Sequence, residues 1–194
     1  LGFIANSILN IIQPERELKT LQEGVELSDT VENRIALANF YIRNNQPEKA
    51  VEIYQSCLNG VFKKDPDITL ELIKAQNRAK KYDDALITVK KIKADHPNYE
   101  QYRRELIYAE ILENMSQDLD AKSIYEAIIE RHGGEEAHCK YGRLLEKIGE
   151  KERAKSIYED TIKRTKRLSY HQKKLQREWI KIANDGLVRL SKPK

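Results

Sequence analysis

Residues 121–126 read AKSIYE, and residues 154–159 read AKSIYE again, 33 positions later. Closer to the N-terminus, Ala50 opens AVEIYQ and Ala85 opens ALITVK, so Ala50, Ala85, Ala121 and Ala154 lie 35, 36 and 33 residues apart. A self-similar period of this length marks one supersecondary unit stacked on copies of itself. Four positions after each alanine stands a larger residue: Tyr54, Val89, Tyr125 and Tyr158. Four positions is about one helical turn, so the small and the large side chain share a face. Twelve positions before each alanine a second pattern ends, in Leu37–Ala38, Leu72–Ile73, Tyr108–Ala109 and Tyr141–Gly142. Ile73 departs from the rule that this residue is small. Small side chains on two facing helices let the backbones approach to about 8–10 Å. Each unit therefore reads as a pair of antiparallel helices crossing at two small residues.

The segments between the two patterns are polar: Asn44-Asn45-Gln46-Pro47, Lys80-Lys81, Ser116-Gln117-Asp118 and Gly149-Glu150-Lys151. They read as tight interhelical turns. Proline or glycine then closes the second helix. Pro97 falls twelve after Ala85, Gly133 and Gly134 lie at the matching place after Ala121, and the first unit delays its proline to Pro66. Asp29-Thr30-Val31-Glu32 has the form of a capping box. Asp65-Pro66-Asp67 offers an N-cap with proline at the first helical position. Asn98 is placed to start the third pair.

Period, small residues and large residues together resemble the tetratricopeptide repeat, over residues 30–165. The chain departs from that family where a consensus tryptophan stands, at Arg34, Thr69, Glu105 and His138. The resemblance implies an all-α fold, a right-handed superhelix of antiparallel helix pairs with flanking capping helices. The packing residues would be Ala38, Ala50, Tyr54, Ala85, Ala109, Ala121, Tyr125, Gly142, Ala154 and Tyr158. The first helix of each pair would line a concave groove. That groove would receive Ile35, Asn39, Ile42 and Arg43, then Leu70, Lys74, Asn77 and Arg78. The third and fourth pairs would add Leu106, Glu110, Glu113 and Asn114, then Cys139, Arg143, Glu146 and Lys147. Asn39, Arg43, Lys74, Asn77, Arg78 and Arg143 are the candidates for gripping a carboxylate or the backbone carbonyls of an extended peptide. An ordinary polar helix face accounts for the same residues equally well. Chaperone-binding members of the family clamp a terminal carboxylate with Lys and Asn. Here Asn39 is present but Ile35 stands where that clamp has lysine, so no chaperone site is implied.

Two flanks complete the chain. Residues 1–29 join the uncharged run LGFIANSILNII to PERELKTLQEGVEL, which sets Leu18, Leu21 and Val25 on one face. One or two helices are expected there, covering the first pair or meeting a second chain in a homodimer. Residues 166–194 place Leu168, Leu175, Trp179, Ile182 and Leu190 at helical spacing. That is a capping helix with an apolar stripe toward the last pair and a basic outer face.

Composition agrees with helices. Of 194 residues, 40% are hydrophobic and 34% charged, with only 8 Gly and 5 Pro. Cys57 and Cys139 form no metal or redox spacing and read as buried thiols. No phosphate-binding loop, nucleophile elbow or zinc signature is present, and His132, His138 and Cys139 match no common ligand spacing. No catalytic site, metal or cofactor is therefore expected. The net charge of +4 hides an asymmetry: from Lys163 onward eleven Lys or Arg face two acids, leaving −5 for the remainder. The basic end fits an acidic partner, an anionic membrane surface or nucleic acid. For nucleic acid the interleaved aromatics of a single-strand binder are sparse.

The run LGFIANSILNIIQPERELKTLQEGVELSDTVENRIALANFYI and the ending QREWIKIANDGL resemble a family of bacterial proteins. These carry two N-terminal transmembrane helices, similar to the membrane segment of cardiolipin synthase-type proteins, followed by a divergent tetratricopeptide domain. The resemblance implies anchoring in the bacterial inner membrane, with this chain as the soluble, cytoplasmic part, and carries no activity with it. The functional expectation is a scaffold that binds a peptide or partner protein.

Overall fold

In the computed structural model residues 2–191 are described, with side chains from Pro14 onward. The expected seating of the apolar run 1–12, and its use in a homodimer, fall on side chains outside the described residues. The described chain is all-helical and forms two compact units, Leu1–Tyr99 and Glu100–Lys194. The first unit holds α1 (Gly2–Leu27), α2 (Val31–Arg43), α3 (Pro47–Cys57), α4 (Pro66–Arg78) and α5 (Tyr82–Asp95). The second holds α6 (Gln101–Asn114), α7 (Asp118–Arg131), α8 (Glu135–Lys147), α9 (Lys151–Lys166), α10 (Tyr170–Leu175) and α11 (Arg177–Ser191).

In each unit the small residues let the helices close together. Ala38, Ala50, Ala85, Ala109, Ala121 and Ala154 are fully buried, as are Tyr125 and Tyr158. Gly142 is buried too, and Tyr54 and Val89 are nearly so. Each tyrosine solves its polar problem in the same way. The Tyr54 hydroxyl donates to Asn39 Oδ1 at 2.7 Å, Tyr125 to Glu113 at 2.5 Å and Tyr158 to Glu146 at 2.7 Å. A buried phenol needs such an acceptor, and burial holds all three well above the usual phenol range.

The interhelical turns share one geometry. Asn45, Lys80, Ser116 and Gly149 each adopt a left-handed backbone, with φ of 54°, 57°, 60° and 85°. Each lies five residues before a key alanine. The next residue donates its N–H back to the helix five positions earlier: Gln46 to Tyr41, Lys81 to Gln76, Gln117 to Leu112 and Glu150 to Leu145, at 2.8–2.9 Å. This is the Schellman closure, which calls for glycine or asparagine. Lys80 and Ser116 occupy it at a cost of roughly 1–2 kcal/mol. Glycine gives back about 0.5–1 kcal/mol as unfolded-chain entropy. Ser116→Gly is therefore expected to raise stability by about 0.5–1 kcal/mol. Urea denaturation with an unchanged m-value checks this; a loss of stability would show that the Ser116 side chain has another role.

Polar contacts take over where the consensus tryptophan would stand. Arg34 donates to Ser56 Oγ at 3.2 Å and pairs with Asp29 at 2.5 Å. Arg131 reaches Glu105 at 3.4 Å, and Arg164 reaches His138 Nε2 at 3.0 Å, each across 26 residues. The buried His138 ring donates from Nδ1 to the Gly134 carbonyl at 2.8 Å and accepts from Arg164. That pattern is a neutral imidazole, and burial pulls its pKa below the usual histidine value.

Three local expectations are corrected. The N-cap of α2 is Thr30, whose side chain accepts from Asn33 N–H; Asp29 is drawn instead into its pair with Arg34, so no capping box forms from 29–32. The third pair starts at Gln101, not Asn98, because the chain turns through His96–Tyr99 and reorients at Glu100, φ 40°. The C-terminal segment is interrupted at Gln176, and Leu175 is exposed rather than part of the apolar stripe. The N-terminal segment forms one helix, and α1 runs through Pro14. Asp65 caps α4 as expected, accepting from Ile68 N–H at 2.9 Å with Pro66 in the first turn.

The flanks pack on their neighbours. Leu18 and Leu21 of α1 lie against the core formed by α2, α3 and α4. α11 packs on α8 and α9. Its Gly186 meets one edge of the Tyr158 ring while Gly142 of α8 meets the other.

Candidate interaction surface

In the first unit, α2 and α4 carry five of the candidate residues, and most are already engaged. Asn39 accepts from the Tyr54 hydroxyl. Arg43 pairs with Glu17 of α1 at 2.5 Å, a partner that sequence order gave no reason to choose. Lys74 pairs with Glu71 at 2.5 Å, one turn back on the same helix. Asn77 is half-buried, and Arg78 is exposed at the end of α4. Leu70, by contrast, is buried and offers nothing to a ligand.

In the second unit the groove expectation has a definite shape. Glu110, Glu113 and Asn114 from α6, Tyr125 from α7, and Lys140 and Arg143 from α8 line one hollow of about 350 Å³. Tyr125 and Lys140 were not among the expected groove residues. Lys140 could have been found, since it lies one turn before Arg143; Tyr125 shows the sequence only its packing role. Leu106 and Cys139 leave the groove set because both are buried. Cys139 lies beneath α11, where its Sγ donates to the Trp179 carbonyl at 3.2 Å. Burial pushes its thiol pKa up to about 12, which makes it a poor nucleophile.

The charges in the hollow are unequal. Burial works against the Lys140 ammonium, but Glu110 and Glu136 outweigh it and hold its pKa above the usual range. Burial also raises the Glu113 carboxyl, only partly offset by the Tyr125 hydroxyl. Glu146, 33 residues later, has the equivalent tyrosine partner, Tyr158, plus Arg189 of α11 at 2.8 Å. Burial opposes its charge as well, yet Arg189 and Tyr158 bring its pKa below the usual value. Glu113 thus lines an open site with no ion pair among the described residues, and so does Arg143. Among the described residues no group of three His, Cys, Asp or Glu is placed to hold a metal ion.

The geometry now has a counterpart in known proteins. The tetratricopeptide-repeat family profile matches residues 31–59 and 135–166, which are the first and fourth helix pairs. Two of the four helix pairs match that repeat. The structure of a thermophilic tetratricopeptide protein from Thermus thermophilus is similar, with a TM-score of 0.66 at 11% identity, covering 95% of this chain and 96% of that one. PilF of Pseudomonas aeruginosa gives 0.63 at 17% identity, covering 96% and 85%. YrrB, a tetratricopeptide protein described as having an unusual peptide-binding site, gives 0.57 at 17% identity, covering 82% and 81%. At these identities the likeness is one of fold. No curated protein matches the sequence. The two profile matches fall on pairs that keep the small residue, at Ala38 and Gly142. The second and third pairs are unmatched, although the third keeps its small residue at Ala109.

Proposed function

We propose that this chain is a protein-interaction scaffold that holds an extended segment of a partner protein against the first helices of its pairs. The hollow between α6 and α8 carries the reading. It is open, it is lined by polar groups at Asn114 and Arg143, and it contains the Glu113 carboxylate, which enters no ion pair among the described residues. Extended peptides are held in this way, by side chains that satisfy main-chain and terminal groups. YrrB, similar in fold, has a peptide-binding site, and tetratricopeptide proteins are typically scaffolds rather than enzymes. Arg78 and Lys74 on α4 extend the proposal to the first unit.

Charge reversal tests it. Arg143→Glu, and separately Lys74→Glu with Arg78→Glu, are expected to weaken partner binding about tenfold or more, since each replaces an attraction with a repulsion. The measurement is cross-linking of the purified chain to its partners, with helical circular dichroism as the control for folding. Undiminished cross-linking in all the variants would sink the groove.

A second element of the proposal is tethering at a bacterial inner membrane, with this part of the chain on the cytoplasmic side. The flanking sequences support it through their resemblance to membrane-anchored proteins. Among the described residues no helix is long and apolar enough to cross a membrane. Fractionation of the full-length protein from its own cells distinguishes a tethered from a free protein.

A further inference from the structure

The basic end of the chain acquires a shape in the structure that its composition does not show. α10 and α11 are separated only by Gln176, and the ladder runs through it: Gln176 N–H donates to the Gln172 carbonyl and Ile180 N–H to the Gln176 carbonyl, both at 3.0 Å. Helical phase is therefore kept from Tyr170 to Ser191. Tyr170, Lys173, Lys174, Arg177 and Lys181 fall at i, i+3, i+4, i+7 and i+11, which is one face. The opposite face, with Trp179, Ala183 and Gly186, is turned to the protein. Lys163, Lys166 and Arg167 add three exposed cations from the end of α9. None of these seven cations enters an ion pair among the described residues. Between residues 163 and 184 the only acid is Glu178.

Apolar groups stand on the same face as the charges. Tyr170 is 86% exposed and Val188 57%, and Val188, at i+18, returns to the line of Tyr170 after five turns. An exposed valine in line with four cations has no use against a phosphate backbone, and one tyrosine is not a stacking series. Cations that pair with lipid phosphates, together with a tyrosine and a valine at the headgroup boundary, are the composition of a helix lying on a bilayer. We infer that the outer face of α10 and α11 docks on an anionic bilayer surface, with the cations against the headgroups and Tyr170 and Val188 entering the interface. This docking is independent of the peptide groove and of any transmembrane tether.

The test is co-sedimentation of the chain with vesicles of phosphatidylcholine alone and of phosphatidylcholine mixed with phosphatidylglycerol. Binding is expected only to the mixed vesicles and falls as salt is raised. Each cation near an anionic surface is worth about fivefold in partitioning. The combined variant Lys173→Ala, Lys174→Ala, Arg177→Ala, Lys181→Ala is therefore expected to lose about a hundredfold or more. All four side chains are exposed, and circular dichroism confirms that the variant folds. Tyr170→Ser with Val188→Ser is expected to weaken vesicle binding severalfold and to leave the salt dependence unchanged. Equal binding to both vesicle types, or no binding to either, overturns the inference. So does tighter binding to single-stranded RNA than to the anionic vesicles at the same salt, which would make the face a nucleic-acid surface. Serine variants that bind vesicles like the wild type would overturn the insertion of Tyr170 and Val188.

Discussion

Gly142→Ala and Gly186→Ala should each destabilise the protein, although alanine is the better helix former at both positions. A Cβ on Gly142 would stand 2.5 Å from the Tyr158 ring, and a Cβ on Gly186 would stand 2.4 Å from its other edge. Neither distance is sustainable, so the ring must move. It has nowhere to go: Tyr158 is fully buried, its hydroxyl is held by Glu146, and each glycine blocks the escape from the other. Overpacking a dense core costs about 1–3 kcal/mol. Helix propensity returns about 1 kcal/mol for replacing glycine. A net loss is expected for each variant in urea denaturation, and the double variant should lose more than the sum because both relaxations compete for the same space. Replacing the ring reverses the sign. In a Tyr158→Leu background, either glycine-to-alanine change should become neutral or stabilising. Stabilisation by Gly142→Ala with Tyr158 in place would sink this account.

That clamp shows where sequence reading succeeds and where it stops. Gly142 and Tyr158 were legible as packing partners because they belong to the period: small residue, key alanine, large residue. Gly186 was not, because α11 follows the last repeat at its own spacing. The turns divide similarly. Asn45 and Gly149 are residues that a left-handed turn prefers, but Lys80 and Ser116 hold the same conformation without advertising it. There the tertiary crossing imposes a geometry that local propensity opposes. At the candidate site, helical spacing put Glu110, Glu113, Asn114 and Arg143 beside one hollow, but it also put the buried Leu70, Leu106 and Cys139 on the groove face, and it gave none of the pairs. Arg43 meets Glu17 across 26 residues, and Lys140 meets Glu110 across 30. Such pairs are set by which helices touch, and no local pattern encodes that. Leu175 failed for a related reason, since its place on the stripe assumed a packing face extending to α10, and at Leu175 the chain is exposed.

The second large effect is expected at Tyr125→Phe, and its pH dependence separates the hydrogen bond from the packing. The substitution keeps the ring and removes only the hydroxyl that donates to Glu113 at 2.5 Å. Hydrogen bonds to charged groups contribute about 1.5–3 kcal/mol, and a loss of that size is expected near neutral pH. The Glu113 carboxyl is already raised above the usual glutamate value of 4.5 by burial, with the Tyr125 hydroxyl acting against the rise. A carboxyl whose folded pKa is raised contributes stability that is fully present below the unfolded value, and this is lost as pH rises through the folded one. Without the hydroxyl the folded pKa climbs further, so the variant should lose stability with rising pH more steeply than the wild type. Below pH 4.5, where Glu113 is protonated in both states, it no longer needs a donor for a buried charge, and the gap between the two proteins should narrow. Guanidinium titrations at a series of pH values measure this. A gap that stays constant across the carboxyl range would mean that Tyr125 acts through packing alone. The same experiment bears on the interaction surface, because Glu113 and Tyr125 both line the hollow between α6 and α8. A ligand cation seated against Glu113 should lower its pKa and so restore stability to the variant preferentially at neutral pH.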